Sequence, residues 1–409
     1  MNKDTFYTEL NALEKRFDAL EPEVCETLID QSAGVEGYVV VWNTSISVGG
    51  PVERMGKGGT RVTPKTDLDE IKMLARIMAL KNAAAGLPLG GAKAGMKADS
   101  SAPDFETKYR RFVSLCKPLL FENGGVFGGF GFDIGAKSEM PYWACDELCS
   151  LKSFTGKPIE MGGTDYDREG LAGLGVATAA KTMLMHDRKN VKSASFAVQG
   201  LGAMGAAVVR YFHSYGGDLR AISDPRIGGT WYLDSDVPLE LITALSHGDF
   251  DTTASLLQNG DYTNAPSADD VLFVDVDVLF PCAVQDVIRM DNVERIRARY
   301  IAEGANNPTS DTVRTWLFDH DVTVVPDFIA NAGGIIAAYV ELTSTVTPEN
   351  NIKTRANPEK AKALTIERIT DNTNKVMDLA KDLGIQPSHA GRFIALTNIF
   401  GREDLSCDG

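Results

Sequence analysis

Apolar residues recur at helical spacing over residues 6–31, and the run GYVVVWNTSIS that follows is rich in β-branched and aromatic residues, which predicts a strand. The chain thus opens as helix and then sheet. A stretch dense in glycine and basic residues, GGPVERMGKGGTRVTP, precedes a helical pattern from Leu68 to about Ala85, with Asp67 placed as its N-cap. The glycine-rich GLPLGGAKAG reads as the loop that closes this helix. Further helical patterns cover about Asp104 to Leu120 and the segment PYWACDELCS, with a second glycine-rich loop, ENGGVFGGFGFDIGAK, between them. A third loop, TGKPIEMGGTDYDREGLAGLGV, leads into the helix ATAAKTMLMHD. From Val191 the texture changes to short β-runs alternating with helices: SASFAVQG, a helix to about Tyr215, LRAISD, a helix near PLELITALS, then VDVLFPCA, RYIAEGAN and VTVVPDF. That alternation predicts a parallel sheet wound with helices. The tail from about Asn357 is helical again, with a break at Pro387.

Composition narrows the classes of function. The 409 residues are 44% hydrophobic and 24% charged, enough to build two or three folded domains, and no run is long and apolar enough to span a membrane. The start, MNKDTFYTELNALEKRFD, lacks the apolar core of a signal peptide, so a cytoplasmic protein with no membrane partner is expected. Lysine and arginine number 41 against 56 acidic residues, a net charge of -15 that disfavours nucleic acid as a partner. The six cysteines are scattered without a CxxC pair, and the five histidines fall outside the glycine-rich stretches, so no metal site is expected.

Two sets of residues carry chemistry. Gly200-Leu201-Gly202-Ala203-Met204-Gly205 follows a predicted strand and opens a predicted helix, and the next strand ends at Asp224. In a dinucleotide-binding fold such glycines allow a tight turn, close approach of a pyrophosphate and close helix–strand packing, while an acid about 20 residues on takes the ribose hydroxyls. Arg226 either pairs with the 2′-phosphate of NADP or is a solvated loop arginine, which leaves NAD and NADP both open. The second set is three lysines among small apolar residues: Lys57 in MGKGGTR, Lys81 in ALKNAAAGLPLGG and Lys93 in GGAKAGM. Burial and positive neighbours disfavour an ammonium, so one of the three is expected to be neutral near pH 7 and act as a base while the others grip carboxylate. Their spacing alone fits three independent exposed lysines equally well. Asp133 in GGFGFDIGA is an available carboxylate partner, although a loop aspartate is more often a turn residue. Asn306 in EGANNPTS and Asn331 in PDFIANAGG sit beside small residues, as groups that bond a ligand amide or ribose would.

Taken in order, KGGTR, KNAAAGLPLGGAKAG, FDIGA, TGKP, VQGLGAMG, AISD, VLFPCA, AEGANNPT and PDFIANAGG resemble the glutamate/leucine/phenylalanine/valine dehydrogenase family from about Gly58 to Glu341. The resemblance implies an α/β chain with a substrate-binding and oligomerisation domain over residues 1–165, a Rossmann domain over 166–345, and C-terminal helices over 346–409 that complete the substrate domain across the cleft. It implies reversible oxidative deamination of an L-amino acid to a 2-oxo acid and ammonia with NAD or NADP, in a homo-oligomer, a hexamer or octamer. By the same resemblance Lys81 binds the substrate α-carboxylate, Lys93 activates water at the imine carbon, and Asp133 shuttles the proton on the substrate nitrogen. Cys282 and Ala283 of VLFPCA fall on the cofactor side with Asn306 and Asn331.

Substrate choice receives opposing signals. Lys57 stands where glutamate-specific members place the lysine that grips the side-chain carboxylate, whereas Ala338 stands where they use a serine hydroxyl, and KNAAAGLPLGG reads more like the leucine and phenylalanine enzymes. Glutamate is favoured, with leucine, valine, phenylalanine or another amino acid as the alternative. Ala172, in place of a threonine near the nicotinamide, and one extra residue in GGTDYDREGLAGLGV raise a remoter alternative, a catalytically weak sensor.

Overall fold

The computed structural model describes residues 1–233, 237–346 and 358–403, so Cys407 lies outside the described residues. It divides into two compact units. One unit comprises Phe6–Asp165 with the described parts of Ile335–Ala361 and Phe393–Gly409, and the other comprises Met1–Thr5, Tyr166–Gly334 and Lys362–Arg392. The C-terminal helices are therefore shared between the units, whereas the sequence reading assigned residues 346–409 to the substrate domain alone.

The first unit begins with α1 (Lys3–Asp18), β1 (Val24–Asp30), β2 (Val35–Trp42), β3 (Gly56–Lys57) and β4 (Thr60–Thr63). Then come α2 (Leu68–Ala84), β5 (Gly90–Lys97), α3 (Phe105–Cys116), β6 (Phe130–Gly131), α4 (Met140–Leu148) and β7 (Phe154–Thr155). Strands run in the order β1-β2-β5-β3, with β4 also paired to β5, so β5 is an interior strand. Residues 24–30 form an edge strand rather than the end of a helix, because a turn at Gly34 (φ 62°) folds them antiparallel onto β2. Asp67 caps α2 as expected, its carboxylate accepting the Glu70 N–H.

The larger correction concerns GLPLGGAKAG, whose second half is not a loop but strand β5. Glycine weakens a strand read locally, but here its missing side chain has a packing use. A Cβ on Gly91 would lie 2.2 Å from the Ala75 carbonyl oxygen and 2.3 Å from the Ala79 nitrogen of α2, and one on Gly95 would lie 2.5 Å from the Ile71 side chain. Alternation along the strand puts Gly91, Lys93 and Gly95 on the face that meets α2. Ala92, Ala94 and Met96 face the other way, into a core with Tyr109 and Phe112 of α3 and Phe130 of β6.

The second unit carries α5 (Leu171–His186), β8 (Ser195–Gln199), α6 (Ala203–Ser214), β9 (Asp218–Asp224), β10 (Gly229–Tyr232), α7 (Leu239–His247) and α8 (Phe250–Asn259). It continues with β11 (Thr263–Ala265), β12 (Val278–Pro281), β13 (Tyr300–Ala302), α9 (Asp311–Asp319), β14 (Thr323–Val325) and α10 (Asp327–Ala330). Three helices follow: α11 (Gly333–Val346), which passes from this unit into the first after Gly334, α12 (Pro358–Leu383) and α13 (Pro387–Glu403), which Pro387 begins. Its sheet runs β11-β10-β9-β8-β12-β13-β14. The five strands from β9 to β14 are parallel, as the alternating pattern predicts, and β10 and β11 add an antiparallel edge that it did not reveal. Ala221, Ala197, Leu279, Ile301 and Val324 stand in one register row across those five strands and form the spine of the buried core. Such a row, buried on a parallel sheet, is why these strands read as continuous apolar runs.

Because α2 touches β5 through backbone atoms, Gly91→Val should destabilise the protein by at least ~1–3 kcal/mol, the usual cost of overpacking. Urea unfolding measures it, and an unchanged midpoint would mean that the helix can retreat from the strand without loss.

Candidate active site

Lys93 is 5% exposed, and its ammonium lies 2.7 Å from Asp133 Oδ2. The same oxygen receives Arg61 Nε at 3.1 Å, while Arg61 Nη1 reaches Glu70 at 2.6 Å, so the arginine ties Asp133 to the start of α2. Burial lowers the Lys93 pKa from the ordinary lysine value against the pull of Asp133, and the charges of Arg61 and Lys81 lower it further. Burial alone would raise Asp133, but Lys93 and Arg61 outweigh it and hold the carboxyl below its usual range. A base with a suppressed ammonium thus stands in contact with a carboxylate, a pair equipped to move protons.

The structure also brings the other two lysines to this place. Lys81, in the last turn of α2, is within electrostatic reach of Lys93. Lys57, on β3, is 2% exposed, and its ammonium donates to the carbonyls of Gly129, at 2.8 Å, and Phe130. Burial pushes Lys57 down to about 7, with Lys157 and Lys93 adding to the effect and Glu341 opposing it. Two of its three N–H groups are thereby committed to the 129–130 backbone, leaving one for a ligand. Ala338 is buried on α11, one turn before Glu341.

Sequence reasoning missed what braces this cluster. Lys157 and Glu341 form a fully buried ion pair, and Glu341 also accepts from the Gly156 N–H at 3.0 Å and from both the N–H and the hydroxyl of Thr164. The signal was present: an acid inside the apolar run GGIIAAYVEL must find a cation if the helix is buried. Arg61, in KGGTR, likewise stood beside residues already singled out.

In the second unit the three glycines divide the work as a dinucleotide loop requires. Gly200 turns the chain at φ 83° with Ala283 packed against it, and Gly205 lies so close to the Gly200 carbonyl that a Cβ would fall 1.8 Å from its oxygen. Gly202 is the N-cap of α6, and a Cβ there would meet only Arg226 Nη2, at 4.0 Å. The first N–H groups of α6, from Ala203 and Met204 onward, have no partner within a helix, so this end offers an open anion cradle. Beneath it, Gln199 Oε1 and Ser223 Oγ are buried without a hydrogen-bond partner among the described residues. These features fit a nucleotide pyrophosphate. Cys282 and Ala283 follow β12 beside this loop, where the Cys282 N–H donates to the Gln199 carbonyl at 2.8 Å and burial pushes the thiol pKa up. Asn331 Nδ2 donates to Asn306 Oδ1 and to the Gly304 carbonyl, both at 3.1 Å, so the two asparagines stand together. Glu303, paired with Arg314 on α9 and accepting the Asp327 N–H, fixes both their loops.

Asp224 has partners other than those expected. Its carboxylate accepts the Leu201 N–H of the glycine loop and is clasped by Arg226. Ala172 lies in the first turn of α5, which starts earlier than the loop reading had it.

A model described as Glutamate/Leucine/Phenylalanine/Valine dehydrogenase matches residues 162–403, and a second, described as Glu/Leu/Phe/Val dehydrogenase, dimerisation domain, matches residues 25–147. The chain belongs to the Glu/Leu/Phe/Val dehydrogenase family. Among its relatives, an NADP(+)-dependent glutamate dehydrogenase of Pyrobaculum calidifontis is 35% identical over 318 residues, 75% of this chain and 72% of the relative. An NADP-specific glutamate dehydrogenase of Saccharolobus shibatae is 29% identical over 340 residues, 80% and 75% of the two chains. The fold also matches the crystal structure of a hetero-hexameric glutamate dehydrogenase from Thermus thermophilus, with a TM-score of 0.75 at 23% identity over 99% of this chain and 98% of that one. Among the described residues no helix is long and apolar enough to cross a membrane.

The buried Lys157–Glu341 pair sets a stability test within this family member. Glu341→Gln leaves an ammonium buried without its counter-charge and should cost ~3–5 kcal/mol of unfolding free energy, much of it recovered in the double variant with Lys157→Met. A single-variant loss under ~1 kcal/mol would mean that Lys157 escapes to solvent.

Proposed function

We propose that this protein catalyses the reversible NAD(P)-dependent oxidative deamination of an L-amino acid, glutamate in preference, to a 2-oxo acid and ammonia. The observation that carries the reading is the buried Lys93–Asp133 contact at 2.7 Å, beside two further lysines. A nicotinamide dinucleotide, which the Gly200–Gly205 loop would hold by its pyrophosphate, would supply the hydride acceptor for the substrate α-carbon. Lys81 pairs with the α-carboxylate. Lys93 in its neutral form removes a proton from the water that adds to the imine carbon, and Asp133 carries the proton to and from the substrate nitrogen as ammonia leaves. The unit built on Phe6–Asp165, which α11 joins from Ile335, serves as substrate and oligomerisation domain, and the unit built on Tyr166–Gly334 as dinucleotide domain. The active form is a homo-oligomer, a hexamer or octamer, in the cytoplasm. The match of residues 25–147 to a dimerisation domain supports assembly through the N-terminal part.

For the substrate side chain, the remaining N–H of Lys57 supports glutamate. The buried methyl of Ala338, which offers no hydroxyl, supports an aliphatic or aromatic amino acid as the second reading.

Lys93→Ala should lower turnover by ~10²–10⁴-fold while cofactor affinity stays nearly intact, and Asp133→Asn should do the same, since each removes a proton carrier and leaves the dinucleotide loop untouched. Turnover within tenfold of the parent protein in either variant would remove that residue from the mechanism.

The pocket prediction follows from the charge on Lys57. With a pKa near 7, the ammonium is present below that pH and lost above it, so the ratio of kcat/KM for glutamate to that for leucine should be highest in acid and fall as pH rises through about 7. Lys57→Leu should abolish the pH dependence and favour leucine, and Ala338→Ser should favour glutamate. A ratio that stays flat with pH and is equal in all three proteins would show that Lys57 does not face the substrate.

A further inference from the structure

Strand β4 is the scaffold that Lys93 and Asp133 share. It pairs in parallel with β5, Thr60 opposite Ala94 and Arg61 opposite Gly95, and the Gly59 carbonyl accepts the Ala94 N–H at 3.2 Å. Toward the 132–135 loop, the Val62 N–H donates to the Ile134 carbonyl at 2.9 Å. The approach is close enough that a Cβ on Gly59 would fall 2.5 Å from the Phe132 carbonyl oxygen, and one on Gly135 would fall 1.7 Å from that of Val62. Residues opposite one another in neighbouring strands share a face, so Arg61 emerges on the α2 side of the sheet with Gly95 and Lys93.

Arg61 bridges that loop and α2. Its Nε donates to Asp133 Oδ2 at 3.1 Å, the same oxygen that lies 2.7 Å from Lys93 Nζ, and its Nη1 donates to Glu70 Oε1 at 2.6 Å. Glu70 is itself held, because its N–H donates to the capping carboxylate of Asp67 at 2.8 Å in the first turn of α2. The arginine is largely shielded from water, and Asp133 and Glu70 keep it charged against the effect of burial. Two donors of one rigid, planar fork thus join two acids on different elements, a geometry that a flexible ammonium does not reproduce. Both lone pairs of Asp133 Oδ2 are taken by cations that the fold fixes in place, which leaves Oδ1 for exchange with a ligand.

We propose that Arg61, braced by Glu70, is the positioning residue of the proton-transfer step: it presents the Asp133 carboxylate in one orientation, with Oδ2 bound to Lys93 and Oδ1 toward the substrate nitrogen. The inference rests on the amino acid dehydrogenase reading of this site. In this arrangement Arg61 acts through Asp133 and touches neither substrate nor cofactor. Its charge also favours the anion of Asp133 and the neutral amine of Lys93, the two forms in which the pair takes up protons. Lys81 works in the same direction on Lys93, and Glu70 offsets part of the arginine's effect. A side chain that only stapled α2 to the sheet would do neither.

The test is the pH dependence of kcat and KM for glutamate, leucine and phenylalanine in the full-length protein, with NAD and NADP each supplied. Arg61→Met should lower kcat by ~10-fold or more with little change in amino acid KM, since the carboxylate loses its orientation while Lys81 and Lys57 still hold the substrate. The acid limb of its kcat/KM profile should also rise by ~1 pH unit, because loss of a neighbouring cation raises the pKa of both Asp133 and Lys93. Arg61→Lys restores the charge but not the fork, so the limb should return to its parent position while kcat stays low. Glu70→Ala removes the brace and keeps the arginine's charge, so it too should lower kcat without raising the limb. An acid limb that stays in place in Arg61→Met reduces Arg61 to a structural tie and overturns the proposal. A raised KM at unchanged kcat overturns it as well, by placing Arg61 on the substrate. Full activity in Arg61→Lys and Glu70→Ala contradicts the positioning role, and these two variants carry the test if Arg61→Met does not fold. A parent protein that reduces neither dinucleotide with any of the three amino acids would instead overturn the dehydrogenase reading itself.

Discussion

The contact between Lys93 and Asp133 is the constraint to which the first unit is fitted. An ammonium that is 5% exposed would be costly if unpaired, and the aspartate beside it, mostly shielded from water, would also be costly alone. Each makes the other tolerable, and Arg61, anchored on Glu70 at the start of α2, fixes where the carboxylate sits. Lys93 stands on an interior strand, not a loop, so its position is set by backbone hydrogen bonds on both sides of β5. The glycines around it let α2 press against that strand, which excludes water and keeps the ammonium suppressed. Fold and chemistry therefore make one demand: small residues at 91 and 95, and a lysine at 93.

Much of this was legible in the sequence, though unevenly. The second unit announced itself through apolar runs alternating with helical stretches, because every strand of a parallel sheet is buried on both faces and needs apolar residues in register. The capping aspartate before α2 and the glycine loop after β8 were readable because each rests on a local rule. Strand β5 was not, since a run with so much glycine looks like a loop until a helix is placed on it. The antiparallel strands β10 and β11 are only four and three residues long: β10 folds back on β9 through the turn after Asp224, and the edge strand β11 reaches β10 from about thirty positions away, a pairing that no local pattern records.

At the site, the lysines and Asp133 could be singled out from their small, apolar surroundings, and the structure brings them together. The partners of buried charges were harder to find. Glu341 and Glu303 are single acids in apolar stretches, a signal that a cation is needed but not of which one; Lys157 answers Glu341 from a distant position, and Arg314 answers Glu303 from the helix that follows its strand. Asp224 shows the same limit. Its place at the end of β9 was read correctly, but its four hydrogen bonds depend on how the turn at Pro225 returns Arg226 toward it.

The most direct test of the central contact is a double-mutant cycle on kcat/KM with Lys93→Ala and Asp133→Asn. If the two side chains work as one proton-moving unit, the double variant will be about as slow as the worse single variant. Losses that simply add would show that the lysine and the aspartate act independently, and that their contact in the fold is an ion pair without a shared part in catalysis.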